Sequence, residues 1–380
     1  MPALVNLVVD LDTLSAFPLT EHDANVSSPA AADERTLAWI DQTFSATWGC
    51  EAALGATLLV RDGETPAGFA TIDARGLTFR WLTGLGHARD VGLFGPFGVI
   101  PARRKSGIGV ALLRRALAEL SARGYARALI PAVSGASLID YYRDAVGARV
   151  AETFDRDALL APRPRTVVMA SGNGTNLQAV LDASTAGALP IDVVAVVSNN
   201  SRAFALQRAR DAGVPEVRAL VWNRANETRA QYDARLLDEV RAQQADLVLL
   251  LGWMHLLSGP FVRSFENVLN LHPAYLPLDP AEDSVVMPDG TRTAAFRGPH
   301  AVRDALACKS PWIGATVHRV TPATDRGPVL ARKPLRVLPG EEEAELMERL
   351  HREEHALVQT AVTRWLFERP LNGDRKERLE

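Results

Sequence analysis

The segment TVVMASGNGTN, residues 166–176, joins a short apolar run to a glycine-containing turn and then to the start of an amphipathic run. An apolar strand, a tight turn and a helix form the unit from which parallel sheets are built. The same alternation of helices and strands continues at residues 176–183, 193–198, 203–212, 227–242 and 247–251. It predicts an α/β fold with a doubly wound parallel sheet in this half of the chain.

A domain boundary is expected near residue 160, because two prolines and two arginines in residues 161–165 precede this first strand. At roughly 150 residues per domain, a chain of 380 residues suggests two or three domains. We therefore expect one domain at 1–160 and a second at 161–380, with a charged, frayed tail at 372–380.

The order of predicted strands and helices is different in the first half, where it indicates a mixed sheet with flanking helices. Strands are expected at 56–61, at 67–72 and before Pro101. Helices are expected near 33–43 and, as a long amphipathic segment, at 106–123. The fold class is therefore α/β with two domains.

The composition is that of a soluble globular protein, with 47% hydrophobic residues, 23% charged residues and a formal net charge of -3. Nothing in it indicates binding to nucleic acid or to a membrane. Cys50 and Cys308 fall in different predicted domains and have no metal-ligand neighbours, so we expect neither a disulfide framework nor a metal site. With no signal peptide and no spanning segment, the expected location is cytoplasmic.

Three spaced polar residues in the second half suggest an active site. Asn270, His272 and Asp325 each lie at a strand end or in a tight turn. An amide, an imidazole and a carboxylate can stabilise a tetrahedral oxyanion and move protons during acyl transfer to an amine. We predict these three as catalytic.

The turn after the strand at 166–170 is a candidate anion site, because the unpaired N–H groups of a helix N-terminus favour negative charge. Gly174, Thr175 and Asn176 are its predicted binding residues. A plain strand-to-helix turn remains the alternative. A dinucleotide site is disfavoured because the glycine spacing differs from G-x-G-x-x-G.

Several segments of the second half, in a consistent order, resemble phosphoribosylglycinamide formyltransferase and related folate-dependent formyltransferases. These segments are SGNGTNLQ at 171–178, SNN at 198–200, GWMHLLS at 252–258, NLHP at 270–273 and DRGP at 325–328. The resemblance implies transfer of a formyl group from 10-formyltetrahydrofolate to a primary amine, with Asn270, His272 and Asp325 as the catalytic residues.

The same resemblance assigns further residues to the two substrates. It implies that Met254, His255 and Leu256 bind the folate, and that Arg229 and Glu354 contact the amine acceptor. It places His318 near the site in a supporting role. In the chemistry expected from it, a protonated His272 donates to the oxyanion and Asp325 keeps His272 cationic.

Two departures from the family pattern concern the acceptor. A polar insertion occupies residues 278–296 and contains the acidic run DPAED at 279–283. His351 stands three residues before Glu354, where the family tends to place Gln or Lys. We expect the folate donor to be retained and the acceptor to differ. A solvated lid loop is the simpler interpretation of the insertion, and attraction of a cationic amine is the other.

The first half contains a second glycine-containing loop between a strand and a helix. Its candidate ligand-binding residues are Val99, Arg104, Lys105, Ser106, Gly107, Ile108 and Gly109. Backbone N–H groups at such a helix N-terminus can surround a pyrophosphate. The spacing Arg-x-x-Gly-x-Gly resembles the coenzyme A loop of the GNAT acyltransferase superfamily, which implies binding of acetyl-CoA or another acyl-CoA.

Tyr142, with Tyr141 beside it, occupies the part of the chain where the resemblance implies a tyrosine that protonates the coenzyme A thiolate. Packing is the alternative role for a tyrosine pair on a helix. No residue stands out as a general base.

The sequence therefore predicts an N-formyltransferase acting on a small-molecule amine, fused to a GNAT-type N-acetyltransferase, a pairing that suits specialised metabolism. The alternative is a phosphoribosylglycinamide formyltransferase of purine biosynthesis with a non-catalytic CoA-binding N-terminal domain. No feature of the sequence fixes an oligomeric state.

Overall fold

The computed structural model describes residues 3–17 and 25–369. The chain forms two compact units, which divide between Leu160 and Ala161. The second unit ends at Arg364, and residues 365–369 group with the first unit instead of the second. The tail expected at 372–380 lies outside the described residues.

The first unit is built on a six-stranded mixed sheet. Its strands are β1 (Leu4–Asp10), β2 (Ala56–Asp62), β3 (Thr65–Ile72), β4 (Val91–Val99), β5 (Arg127–Ser134) and β6 (Arg149–Phe154). They lie in the order β2-β3-β4-β5-β1-β6. β4 and β5 are parallel, and their pairing runs from Val91 to Leu93 on β4.

In the described part of the first unit the α-helices are α1 (Glu34–Thr43), α2 (Trp48–Ala52), α3 (Ile108–Ala122), α4 (Ala136–Val146) and α5 (Arg156–Leu160). Short 3₁₀ helices lie at Leu11–Ala16, Gly84–His87 and Pro101–Arg103. The side chain of Asp33 caps α1 by accepting from the amide of Thr36. On α3, Leu112, Leu113, Leu117 and Leu120 follow the helical period and are fully buried, so this helix covers the sheet.

The second unit contains a seven-stranded sheet. Its strands are β7 (Arg165–Met169), β8 (Asp192–Ser198), β9 (Glu216–Ala219), β10 (Leu247–Leu251), β11 (Val268–His272), β14 (Trp312–Arg319) and β15 (Val329–Arg336). The order is β15-β14-β11-β10-β7-β8-β9. The five strands from β11 to β9 are parallel, as expected of a doubly wound fold, whereas β14 and β15 join antiparallel. The alternation of strands and helices in the sequence did not predict β14 and β15.

Helices cover both faces of this sheet: α6 (Thr175–Thr185), α7 (Phe204–Asp211), α8 (Arg229–Ala242), α9 (Gly259–Ser264), α10 (Ala301–Ala307) and α11 (Glu343–Glu368). Helix α8 starts with a capping box between Thr228 and Gln231. All five residues of β10 are buried, which fits a central parallel strand covered on both sides.

The insertion at 278–296 is a folded hairpin, so the prediction of a solvated lid loop is wrong. Strands β12 (Ser284–Val286) and β13 (Arg292–Ala294) pair antiparallel. Val285, Met287 and Ala295 are buried, and Ala295 packs with Ala274 and Leu276 in a small core cluster. Apolar residues at alternate positions of the insertion are therefore buried, and Ala295 packs the insertion against residues outside it.

Within residues 3–17 and 25–369, no helix is both long and apolar enough to cross a membrane. The same part of the chain contains no group of three or more histidine, cysteine or acidic side chains that could hold a metal ion. Cys50 is buried and Cys308 is exposed, and the two are not joined by a disulfide.

Candidate active site

The predicted catalytic residues converge at one end of the second sheet. Asn270 and His272 are two positions apart on β11, so their side chains point to the same face. On the antiparallel neighbour β14, His318 lies directly opposite Asn270. Asp325 comes from the turn that joins β14 to β15. Two strands and one turn thus bring together residues up to 55 positions apart.

The four side chains form one polar network. The Nδ1 atom of His272 and the Oδ2 atom of Asp325 are 3.5 Å apart, and the Nδ2 atom of Asn270 is 3.4 Å from Oδ1 of Asp325. Because Nδ1 of His318 lies 2.9 Å from the carbonyl oxygen of Arg319, it carries the proton. Nε2 of His318 then accepts from Nδ2 of Asn270 at 3.2 Å.

Asp325 is held ionised. Burial raises the pKa of its carboxyl, but the adjacent imidazoles of His318 and His272 and the hydrogen bond from the amide of Gly298 outweigh burial and lower the pKa to about 2. The Gly298 amide donates to Oδ2 at 2.8 Å. Asp325 therefore remains a fixed negative charge beside both imidazoles at neutral pH.

His272 differs from the expectation that it is cationic at rest. Its burial lowers the pKa, and this effect outweighs Asp325 and the Phe296 carbonyl, which both favour the charged form. Nε2 of His272 donates to the carbonyl oxygen of Phe296 at 2.7 Å, which fixes the Nε2-protonated tautomer. The resting imidazole is thus neutral, with its Nδ1 lone pair towards Asp325.

The turn that carries Asp325 is tightly constrained. Asp325 itself has a left-handed backbone with φ of 52°. A Cβ atom at Gly327 would lie 1.6 Å from the carbonyl oxygen of Arg319, so only glycine fits there. The guanidinium of Arg297 donates to the Asp325 carbonyl at 3.2 Å. Phe296, Arg297 and Gly298 were not among the predicted site residues, although the segment at 297–300 marks the end of the insertion.

A cavity of about 630 Å³ opens from this network. Asn270, His272, His318 and Asp325 line it, together with the segment Gly252 to Leu257. Leu250, Val262 and Val320 give it apolar walls. A cavity of this size with apolar walls and a few convergent polar groups is typical of a small-molecule site.

The predicted folate-binding segment lies in this cavity. Met254 and Leu256 are 57% and 68% exposed, unusually high for large apolar side chains beside a pocket. The amide of Met254 donates to the Ser171 hydroxyl at 2.9 Å, which ties the segment to the first turn of the unit. Burial, with the nearby charges of Arg229 and Arg224, lowers the pKa of His255.

At the other end of the cavity, helix α11 presents four residues spaced by four, four and three positions: Glu343, Met347, His351 and Glu354. This spacing puts them on one helical face. Glu354 accepts from Nδ2 of Asn176 at 2.8 Å, and both residues are buried. Burial raises the pKa of Glu354, against the effects of Asn176 and His351. Glu343 and Met347 were not among the predicted site residues, although their helical spacing from His351 could have indicated them.

Gly174 and Thr175 form the start of α6, immediately before Asn176. Asn173 in the same turn receives two hydrogen bonds from Arg208, at 3.0 Å to its carbonyl and 2.9 Å to its side chain. Arg229 is placed beside the folate-side segment, where it bonds the carbonyl of Leu256 and pairs with Asp233 at 2.7 Å. Its observed contacts are thus with the segment expected to bind the donor, not with Glu354.

The first unit has its own candidate site at the N-terminus of α3. Arg104 bonds back to the carbonyl of Val99 at 3.3 Å, and the Ser106 hydroxyl bonds the carbonyl of Arg103 at 2.6 Å. Lys105 and Gly107 have left-handed backbones, with φ of 63° and 91°. Residues 101–107 are exposed, and no side chain caps the helix, so the N–H groups from Gly107 through Ile108 and Gly109 are available as hydrogen-bond donors.

The two tyrosines of α4 have different surroundings. Tyr142 belongs to the main core cluster and packs edge-on against Phe94. Tyr141 lies beside the helix N-terminus, since a Cβ at Gly109 would be 3.1 Å from its hydroxyl. That hydroxyl is buried with no hydrogen-bond partner among the described residues. Burial raises the pKa of Tyr141 to about 12 and that of Tyr142 further still.

Matches to two protein families support a transferase. Residues 164–362 match the formyl transferase family, and residues 22–147 match the acetyltransferase (GNAT) family. The chain belongs to the formyl transferase family and carries a GNAT domain in its first half. The expected fold class is confirmed in both halves.

Two relatives illustrate the similarity. The phosphoribosylglycinamide formyltransferase of Escherichia coli K12 is 35% identical over 198 residues, covering 52% of this chain and 84% of the relative. The trifunctional purine biosynthetic protein adenosine-3 of Drosophila melanogaster is 34% identical over 212 residues, covering 55% of this chain. The chain spans only 14% of that longer protein.

Among solved structures, glycinamide ribonucleotide transformylase 1 from Symbiobacterium toebii is 35% identical, with a TM-score of 0.47. The match covers 54% of this chain and 88% of that one.

Proposed function

We propose that the second unit transfers a formyl group from 10-formyltetrahydrofolate to a primary amine of a small molecule. The observation that carries this proposal is the convergence of Asn270, His272 and Asp325 at the wall of one cavity. The family to which the chain belongs supports the same donor. One relative is named phosphoribosylglycinamide formyltransferase, which makes a ribonucleotide amine one candidate acceptor.

The cavity suits a folate. Leu250, Leu257 and Val262 provide apolar walls for a flat heterocycle, and the turn at Gly252 with the Met254 to Leu257 segment provides backbone polar groups beside them. Bound there, 10-formyltetrahydrofolate supplies an activated formyl carbon. The protein would hold the folate through this segment and orient the formyl group towards the network around Asp325.

The neutral His272 suits the proton balance of amine formylation. A bond forms between the amine nitrogen and the formyl carbon, the bond from that carbon to the folate nitrogen breaks, and one proton passes from the amine to the folate. His272 can accept that proton, because the fixed charge of Asp325 stabilises the imidazolium that results. Asn270 and the charged His272 can then donate hydrogen bonds to the oxyanion.

Substrate must displace the present contacts of Asn270 for this to happen, because Nδ2 of Asn270 is shared between His318 and Asp325. Nε2 of His272 can keep its hydrogen bond to Phe296, since the proton is taken up at Nδ1. Catalytic hydrogen bonds often reach their working geometry only in the substrate complex. We therefore expect donor binding to release Asn270 from its internal partners.

The acceptor would bind between the network and helix α11. The buried Glu354 and the unpartnered Oδ1 atom of Asn176 are both hydrogen-bond acceptors, which suits a substrate with several N–H or O–H groups. The acidic insertion offers less to a cationic amine than expected, because Asp283 already pairs with Arg297 at 2.8 Å and with Arg326. Specialised metabolism and purine biosynthesis both remain roles in which such an acceptor fits.

For the first unit, we propose binding of acetyl-CoA or another acyl-CoA, with acyl transfer to an amine. The open helix N-terminus between Arg104 and Gly109 supports pyrophosphate binding. Tyr141 and Tyr142 both stay protonated at neutral pH, as a proton donor to a thiolate must. A non-catalytic CoA-binding domain is the second candidate, favoured by the membership of Tyr142 in the core.

Mass spectrometry of the purified protein with both donors tests these proposals. The protein would be incubated with 10-formyltetrahydrofolate, acetyl-CoA and an amine library that includes glycinamide ribonucleotide. A product heavier by one formyl group, absent with His272→Ala, supports the first proposal. An acetylated product that persists with His272→Ala supports the second. Formylation that is undiminished in His272→Ala contradicts the assigned site.

A further inference from the structure

The C-terminal end of the insertion contacts both His272 and the turn that carries Asp325, called here the catalytic turn. Its last residue, Phe296, accepts a hydrogen bond from His272, and the two residues that follow it contact Asp325 through the Arg297 guanidinium and the Gly298 amide. One short backbone segment, 296–298, therefore fixes the imidazole and the carboxylate relative to each other.

The position of that segment depends in turn on Asp283, which begins the hairpin. Its Oδ1 atom accepts from Nη1 of Arg297 at 2.8 Å and also from Arg326. Arg297 reaches the Glu282 carbonyl at 2.7 Å, and Arg326 reaches the Pro280 carbonyl at 2.7 Å. Arg326 is the residue after Asp325, so the start of the insertion is joined to the catalytic turn by two guanidinium groups.

The acid at position 283 lies between two positive charges. Arg297 is largely buried, with 13% of its side chain exposed, and Arg326 is 34% exposed. Two such cations close together repel unless an anion lies between them. The Asp283 carboxylate bridges them, so it permits Arg297 to stay against Asp325 and Arg326 to stay against the hairpin.

We propose that Asp283 is a positioning residue for formyl transfer: through Arg297 and Arg326 it holds segment 296–298 against His272 and Asp325. The inserted hairpin is then part of the catalytic support and not only a cover for the acceptor side. This inference rests on the proposed function, in which His272 and Asp325 perform the chemistry.

The test compares Asp283→Asn with a matched control, Glu282→Gln. Each variant removes one negative charge from adjacent exposed positions of the insertion, and the Glu282 side chain takes no part in the bridge. The first readout is the imidazole ¹H–¹⁵N spectrum of histidine-labelled protein, in which the Nε2 proton of His272 should exchange slowly. The second is kcat and KM for formylation of glycinamide ribonucleotide, or of an acceptor found in the amine screen.

We expect Asp283→Asn to speed exchange of the His272 Nε2 proton at least tenfold and to lower kcat by about tenfold to a hundredfold, as expected when catalytic groups shift by about 1 Å. KM for the folate should change less than twofold. Asp283→Glu, which keeps the charge, should recover part of kcat, and Glu282→Gln should behave as the parent protein. Unchanged exchange and kcat in Asp283→Asn, or an equal loss in Glu282→Gln, would overturn the proposal.

Thermal unfolding of each variant separates misfolding from misplacement. If Asp283→Asn does not fold, Arg326→Gln removes the more exposed partner of the bridge and should produce the same exchange and kcat changes in milder form. If the parent protein formylates no amine, the proposed function fails. The exchange measurement still decides whether Asp283 fixes His272, because it requires no turnover.

Discussion

The Nδ1 atom of His272 lies 3.5 Å from the Oδ2 atom of Asp325, while its Nε2 atom is held by the carbonyl of Phe296. Burial nevertheless lowers the pKa of His272, so a charge on this imidazole is supported by both neighbours and opposed by its surroundings. A group balanced in this way can take up and release a proton during one reaction cycle.

Replacing His272 with alanine should lower kcat for formyl transfer by about 10²- to 10⁴-fold, the usual contribution of a positioned acid–base group. KM for the folate should change little, since the cavity walls remain. The exposed His87 of the first unit provides the control. In a continuous assay that follows folate absorbance, used for both variants, His87→Ala should keep the kcat of the parent. If kcat of the His272→Ala protein is within tenfold of the parent value, His272 is not the proton carrier.

The pKa of His272 should lie below its ordinary value of about 6.5, because burial disfavours the cation. Asp325 opposes burial, so Asp325→Asn should lower the pKa of His272 further. The midpoint can be read from the ¹³Cε1 shift of labelled histidine. A rise of the midpoint in Asp325→Asn would contradict the present assignment of the two effects.

The same shift affects stability. In the unfolded chain His272 protonates near its ordinary pKa, but in the folded chain only at lower pH. Its contribution is therefore complete above about pH 6.5 and is lost as pH falls towards the folded-state pKa. Denaturant unfolding at pH 7.5 and pH 5.5 should show a smaller pH loss in His272→Asn than in the parent.

Gly327→Ala should destabilise the second unit by about 3 kcal/mol, because its Cβ would overlap the Arg319 carbonyl oxygen at 1.6 Å and neither backbone can move freely. Activity should fall as well, since Asp325 belongs to the same turn. In the control Gly259→Ala, the nearest atom to the new Cβ is the flexible end of Arg263, at 3.0 Å. Chemical denaturation should show little change for that variant, and equal losses for both would contradict the steric argument.

Glu354→Gln should raise KM for the acceptor about tenfold, equivalent to about 1.4 kcal/mol, while KM for the folate stays unchanged. The physical reason is that a buried carboxylate makes stronger hydrogen bonds to donor groups than an amide does. Glu348→Gln, exposed on the same helix, is the matched control. Steady-state kinetics with each substrate varied in turn give the two KM values separately. A change confined to the folate KM would contradict the assignment of Glu354 to the acceptor.

Gly107→Ala should weaken acetyl-CoA binding about tenfold in calorimetric titration. Gly107 and Gly124 flank the two ends of α3 with nearly equal φ, 91° and 89°. Alanine at either should therefore cost about 1 to 2 kcal/mol of stability. Only the change at Gly107 distorts the open N-terminus, so Gly124→Ala should bind acetyl-CoA like the parent. Equal binding by both variants would contradict the location of the coenzyme site.

Much of the fold followed from local patterns. The long helix of the first unit and the alternating strands and helices of the second were expected within a few residues of their observed bounds, since apolar periodicity reports burial directly. The antiparallel strands β14 and β15 and the hairpin at 284–294 were harder to predict. Strand direction and short pairings depend on long-range contacts that periodicity does not encode.

For the site, the sequence by itself determined the chemical groups and their local geometry: Asn270 and His272 two residues apart on a strand, and Asp325 in a turn that requires Gly327. Only the tertiary structure decided the charge state of His272 and its attachment to the insertion. The Phe296 carbonyl and the Gly298 amide perform that attachment, 24 and 27 residues away from their respective partners. Backbone groups are the same in every residue, so no sequence motif marks them, and burial arises only when the strands, turn and hairpin have packed together.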